Sequence, residues 1–126
     1  MLAAAGLTLS ACGTSPRDAV RQKVQQFADA ARTHDYKTIC TQVLAPSLAA
    51  RAASAGLTCE QAMAIALGSV RNPTISVGQV TVKGNSASAI VLSVAADQQA
   101  SLNTLDLVHT GSGWRITSLQ APTGAG

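Results

Sequence analysis

Residues 74–119 read TISVGQVTVKGNSASAIVLSVAADQQASLNTLDLVHTGSGWRITSL, and this stretch decides the fold. Period-2 alternation puts Ile75 and Val77 on one face of a first strand, Thr74–Lys83, and puts Val80 and Val82 together as well. The two pairs are out of phase across Gly78-Gln79. One extra residue there, a β-bulge, returns them to a single apolar face and bends the strand. Gly84-Asn85 tolerates positive φ and suits a two-residue hairpin turn. The second strand, Ser86–Ala95, carries Ile90, Leu92 and Val94 on one face and Ala87, Ala89, Ser93 and Ala95 on the other. A polar turn runs from Asp97 to Ser101. In the third strand, Leu102–His109, Leu105 and Leu107 lie opposite Thr104, Asp106 and Val108. Thr110-Gly111-Ser112-Gly113 makes a Gly-rich turn, and Trp114 and Ile116 share a face of the last strand. Connections this short force antiparallel neighbours, so the expectation is a four-stranded meander.

The residues before the meander read as helices that cover it. Ser15-Pro16-Arg17-Asp18 is a start signal: a capping hydroxyl, a proline suited to the first helical position, and an acid in the first turn. Val20, Val24, Phe27, Ala28 and Ala31 then form one apolar stripe. Arg17, Arg21, Gln25 and Arg32 lie off it, as a solvated face. Asp35 caps a second helix with Ile39, Cys40, Val43 and Leu44 inward. Pro46 to Ala55 adds an Ala-rich turn or two, closed by Gly56. Thr58 and Gln61 form a capping-box pair at the start of a third helix, Cys59–Val70, and Asn72-Pro73 hands the chain to the sheet. Helices followed by an antiparallel meander make the class α+β.

A chain of 126 residues, 47% hydrophobic, is enough for one domain and one core. Phe27, Tyr36 and Trp114 are its only aromatics other than histidine, so Ala, Val, Leu and Ile must build the interior. The net charge is +3 and the pI about 9.1. The nine basic residues are dispersed and no basic-aromatic cluster exists, which argues against nucleic-acid binding.

Residues 1–12, MLAAAGLTLSAC, are apolar and uncharged and end in small side chains. The run is too short for a membrane-spanning helix, which needs about 20 residues. It fits a secretory signal peptide over 1–11. Leu9-Ser10-Ala11-Cys12 resembles the bacterial lipobox. In that signal the cysteine is diacylated and becomes the first residue of the mature protein, so the resemblance implies a lipid anchor at Cys12. Residues 12–14 would then be a lipidated cysteine and short tether, 15–120 the domain, and 121–126 a flexible tail. The expected address is the extracytoplasmic face of a cell membrane.

Cys40 and Cys59 remain, an even pair in an exported chain, 19 residues apart on different helices. A disulfide between them would tie the second helix to the start of the third. No His or acidic residue has ligand spacing with them, so no metal site is expected. No motif implies a cofactor.

Helices followed by a curved meander, ending in Gly111-Ser112-Gly113-Trp114-Arg115-Ile116, resemble the NTF2-like (SnoaL-like) cone fold. Ala28–Tyr36 at the end of the first helix and the Cys40/Cys59 pair point to the small NTF2-like lipoproteins of high-GC Gram-positive bacteria. The resemblance covers residues 17–119. It implies N-terminal helices packed on a curved four-stranded antiparallel sheet, with a pocket between sheet and first helix. Phe27, Tyr36, Met63 and Trp114 are the candidate pocket residues. Trp114 is expected to be buried near Phe27. Some members are isomerases or dehydratases with inward acids, His or Tyr. The residues of those types here are His34, Tyr36, Asp106 and His109, each of which also has a plain structural role. No Ser-His-Asp order, phosphate loop or HExxH is present. Three readings stay open: a non-enzymatic module binding a small apolar ligand or a protein partner, a pocketless homodimerisation module, and an isomerase or dehydratase.

Overall fold

Ser15 starts the first helix, and its Oγ accepts a hydrogen bond from the Asp18 N–H at 3.1 Å. The structure, a computed structural model, describes residues 15–120. The readings of 1–14 as signal peptide, lipidated Cys12 and tether, and of 121–126 as a tail, lie outside the described residues. Helix α1 spans Pro16–Arg32 and buries Val20, Val24, Ala28, Ala30 and Ala31. Two small residues in that stripe, Ala28 and Ala31, let the helix approach the sheet closely. Asp35 caps the next helix: its carboxylate accepts from the Thr38 hydroxyl at 2.7 Å and the Thr38 N–H at 3.2 Å. The hydroxyl bond, then the backbone bond, hold the carboxyl below its ordinary pKa.

Helix α2, Tyr36–Thr38, widens into a π-helical segment, Ile39–Val43. Ile39 and Val43 are fully buried there. The Leu44 N–H closes the wide turn on the Ile39 carbonyl at 2.9 Å, and the next N–H, of Ala45, leaves it to donate to the Ile116 carbonyl at 2.8 Å. Helices α3 (Pro46–Ser54) and α4 (Cys59–Leu67) follow, joined at Gly56, whose φ of +81° is readily adopted only without a Cβ. Helix α4 stops before Gly68, three residues short of the expected Val70.

Strands β1 (Thr74–Lys83), β2 (Ser86–Val94), β3 (Ser101–Thr110) and β4 (Gly113–Gln120) form one antiparallel sheet in the order β1-β2-β3-β4. The expected bulge in β1 is present as a register shift between Val77 and Val80. A bulge disrupts the ladder locally. The Arg21 guanidinium donates to the Val77 carbonyl there, at 3.3 Å. Arg21 is therefore not simply a solvated side chain; it crosses from α1 to the bend of the sheet.

The second strand is turned the other way from what side-chain size alone implies. Ala87, Ala89 and Val91 face the core, while Ile90, Leu92 and Val94 are exposed. The pairing gives the reason. Ala89 lies opposite Leu105 and Ala87 opposite Leu107, so small residues of β2 alternate with buried leucines of β3 on the concave face. Room is left there for Val20 and Val24 of α1. Leu102, opposite Leu92, extends the outer apolar surface.

Trp114 closes one end of the core with only 6% of its surface exposed. Its ring meets that of the exposed His109 at 5.0 Å, centroid to centroid. It lies against the first turns of α1, where it shares a hollow with Pro16, Ala19 and Lys23. Phe27 instead faces Leu105 and Ile116 farther along the sheet. Replacing Trp114 by Ala should cost about 3–5 kcal/mol of unfolding free energy in denaturant titrations. Emission of the native protein should be blue and poorly quenched by acrylamide; red, readily quenched emission would contradict the placement of Trp114.

Candidate functional site

Helices α3 and α4 contain no buried residue, although both are rich in apolar side chains. Helix α4 is apolar on most sides and leaves Ile65 72% exposed. Its N-terminus is well formed: Thr58 Oγ1 accepts from the Gln61 N–H at 3.0 Å, and Gln61 Oε1 accepts from the Thr58 N–H at 2.8 Å. Local signals therefore make these helices, and the sheet does not close over them. Leu48, Met63 and Leu67 rest on the edge of the core, only half buried.

The space under the pair is a hollow of about 540 Å³. This is within the range of roughly 300–1,000 Å³ usual for small-molecule sites. Phe27 of α1, Leu105 of β3 and Ile116 of β4 form its sheet side; Leu48 and Met63 form its helix side. Among its described lining residues Arg51, on α3, is the charged one. A second hollow of about 180 Å³ continues toward Pro73, Ile75 and Val91. Phe27, Leu67 and Leu105 line both and are the wall between them.

The Cys40–Cys59 disulfide is formed, with Cα atoms 6.0 Å apart. It fastens the π-helical segment to the first residue of α4, and Cys59 itself lines the larger hollow. This covalent tie sets the helix pair's distance from the core. The core edge below it is built by cations. Lys23 Nζ donates to the Gln42 carbonyl at 2.9 Å, and Arg115 Nη1 to the Thr41 carbonyl at 2.8 Å. Both carbonyls lie at the end of a helical segment, where backbone acceptors lack intrahelical donors and the dipole favours positive charge. Burial, then the nearby Arg115 charge, lowers the Lys23 pKa from the usual lysine value.

The four candidate pocket residues separate. Phe27 and Met63 line the groove together. Trp114 lines a different hollow at the far end of α1. Tyr36, the first residue of α2, lies beside His34 of the α1–α2 connection, ring centroids 5.8 Å apart. Nor do the acid-base candidates converge. His109 packs its ring at a tilt of 58° against Trp114 at the last hairpin, and Asp106 accepts a hydrogen bond from the Ser118 hydroxyl at 2.9 Å. Among the described residues no three His, Cys, Asp or Glu side chains are gathered as metal ligands. Arg51 and Leu48 were missed as groove residues. Their signal was the excess of apolar residues in 46–67 over what one buried stripe requires, with a single arginine set in an Ala-rich helix.

Neither a protein-family model nor a curated protein sequence matches the chain. Two solved structures resemble it in fold. The Kfla4162 protein from Kribbella flavida is 15% identical, with a TM-score of 0.59 over 84% of this chain and 88% of that one. An NTF2-like protein of unknown function from Shewanella baltica is 10% identical, with a TM-score of 0.57 over 80% of this chain and 87% of that one.

Reduction of the disulfide frees α4. Closing a loop of this length is worth roughly 3 kcal/mol in the chain-entropy account. Cys40→Ser/Cys59→Ser should therefore unfold at lower denaturant concentration by about that free energy. Intact mass with alkylation should show no free thiol at either position before reduction. With helices packed on a four-stranded antiparallel sheet, the chain has the α+β NTF2-like fold of these neighbours.

Proposed function

We propose that the protein is a lipid-anchored, extracytoplasmic, non-enzymatic binding domain that holds a small apolar ligand in the groove beneath α3 and α4. The groove carries this reading: it is a ligand-sized hollow whose described walls are mostly aliphatic, aromatic and sulfur-containing side chains, with Ser118 as a polar and Arg51 as a charged lining residue. Isomerisation or dehydration needs an acid or base within hydrogen-bond reach of the reacting atom. Tyr36 and His109 lie elsewhere, and Asp106 does not itself line the groove but takes the hydrogen bond of its lining residue Ser118. The disulfide supports an oxidising compartment. Leu9-Ser10-Ala11-Cys12 supports the anchor, and a lipid modification of several chains would hold the domain firmly at a membrane.

A second reading has its own observation. Ile90, Leu92, Val94 and Leu102 form an exposed apolar surface on the outer face of the sheet, the kind of patch that marks a protein interface or a homodimer. Native mass spectrometry of the full chain carrying Cys12→Ala, incubated with the neutral probe N-phenyl-1-naphthylamine, separates the readings. The groove reading predicts a one-to-one complex with a monomer. A probe-free dimer favours the sheet-face reading, and no complex at any probe concentration overturns the groove reading.

The anchor has a separate test. In the native host Cys12→Ala should move the protein from the membrane fraction to the soluble or secreted fraction. A membrane fraction unchanged by the substitution would end the lipoprotein reading.

A further inference from the structure

Among the described residues the groove has one charged lining residue, and that residue has no partner among them. Arg51 makes no hydrogen bond or ion pair among the described residues, and its side chain is exposed. The other long cations near the core edge, Lys23 and Arg115, are spent on backbone carbonyls. An unpaired guanidinium beside an apolar groove presents a planar fork of donors suited to a carboxylate. Below it the described walls are apolar down to Phe27 except for Ser118, whose hydroxyl donates to Asp106. Beyond Phe27 lies the second hollow, sharing Leu67 and Leu105 with the first. Phe27 is half-buried and sits on α1, which is anchored in the core by Val20 and Val24. It is thus a stiff partition held by a rigid element.

Resting on the reading of the groove as a binding site, we propose that its ligand is a free fatty-acid-type carboxylate. Its headgroup pairs with Arg51, its chain runs along Leu48, Met63 and Ile116, and Phe27 ends the run and sets the chain length accommodated. Charge complementarity at one end selects the anion, and the apolar lining selects a chain without polar branches. Met63 suits chains of slightly different shape, because its unbranched thioether side chain adapts to irregular space. Leu48 and Met63 are half-buried at the core edge, and contact with a bound chain buries them further.

The test uses the full chain carrying Cys12→Ala, which removes the acyl-acceptor thiol, with fluorescent cis-parinaric acid and its neutral methyl ester as probes. The acid should bind about fivefold tighter than the ester, the range of one partly exposed charged pair. Arg51→Ala should remove that advantage and leave the ester unchanged, and Arg51→Lys should restore part of it. Equal binding of acid and ester overturns the headgroup assignment while leaving the groove standing. Binding of neither probe overturns the groove itself, and the proposal with it. Displacement by saturated fatty acids of increasing length reads the role of Phe27. Phe27→Leu, chosen because Phe27→Ala risks the fold, should move the optimum to longer chains by opening the second hollow. An unchanged optimum in the variant, with circular dichroism showing it folded, overturns the assignment of Phe27.

Discussion

The docking of residues 39–45 against the last strand is the constraint on which the remaining architecture depends. The sheet alone is a bent meander whose concave face is apolar, and a single helix, α1, covers only part of that face. The π-helical segment supplies Ile39 and Val43, both fully buried, to complete the cover. Its chain then pairs with the edge of β4 through the Leu44–Ile116 bridge and the Ala45 N–H. An edge strand is otherwise a row of unsatisfied backbone groups. Here the same segment that seals the core also protects the edge. Lys23 and Arg115 hold it from two sides by taking up its terminal carbonyls. Burial first, and then the nearby Arg115 charge, lower the Lys23 pKa. The arrangement persists because each meets a carbonyl that would otherwise lack a donor.

Everything between residues 46 and 70 hangs from that docked segment. Its end directs α3 outward, and the disulfide from Cys40 returns α4 to it. The molecule therefore has two regimes. The inner one, α1 with residues 39–45 on the concave sheet, is closely buried and built mainly of small and large aliphatics, closed at one end by Trp114. The outer one, α3 with α4, has sound local helix signals and a covalent tether but few buried side chains. A groove between the regimes follows from this difference: the outer pair is fixed at its ends and is not pulled down by a stripe wide enough to fill the gap.

Much of this was legible in the residues, and the illegible parts have definite causes. Gly84-Asn85 and the Gly-rich 111–113 turn specified the hairpins, and the phase slip across Gly78-Gln79 specified the bulge. The Cys40/Cys59 pair and the capping box at Thr58 were equally local. Period-2 alternation reports which residues of β2 share a face, but not which face is inward. That was decided by the partners across the ladder, since Leu105 and Leu107 leave space only for Ala89 and Ala87. The pocket residues were divided for a similar reason. Phe27 belongs to α1 and Trp114 packs against an earlier turn of the same helix, and only the register of β4 against the helix separates them. Arg51 carried no motif. Its meaning comes from the hollow beside it, a tertiary property.

The central claim, a buried inner core with a tethered and underpacked outer helix pair, is most directly tested by native-state hydrogen exchange followed by mass spectrometry. Amides of α1 and of β2 and β3 should exchange only through global unfolding. Amides of α3 and α4 should exchange through a lower-energy local opening with the disulfide intact, because few buried apolar contacts oppose it. Equal protection of residues 46–67 and the central strands in ligand-free protein would contradict the account, since it would mean that the helix pair belongs to the same cooperative core as the sheet.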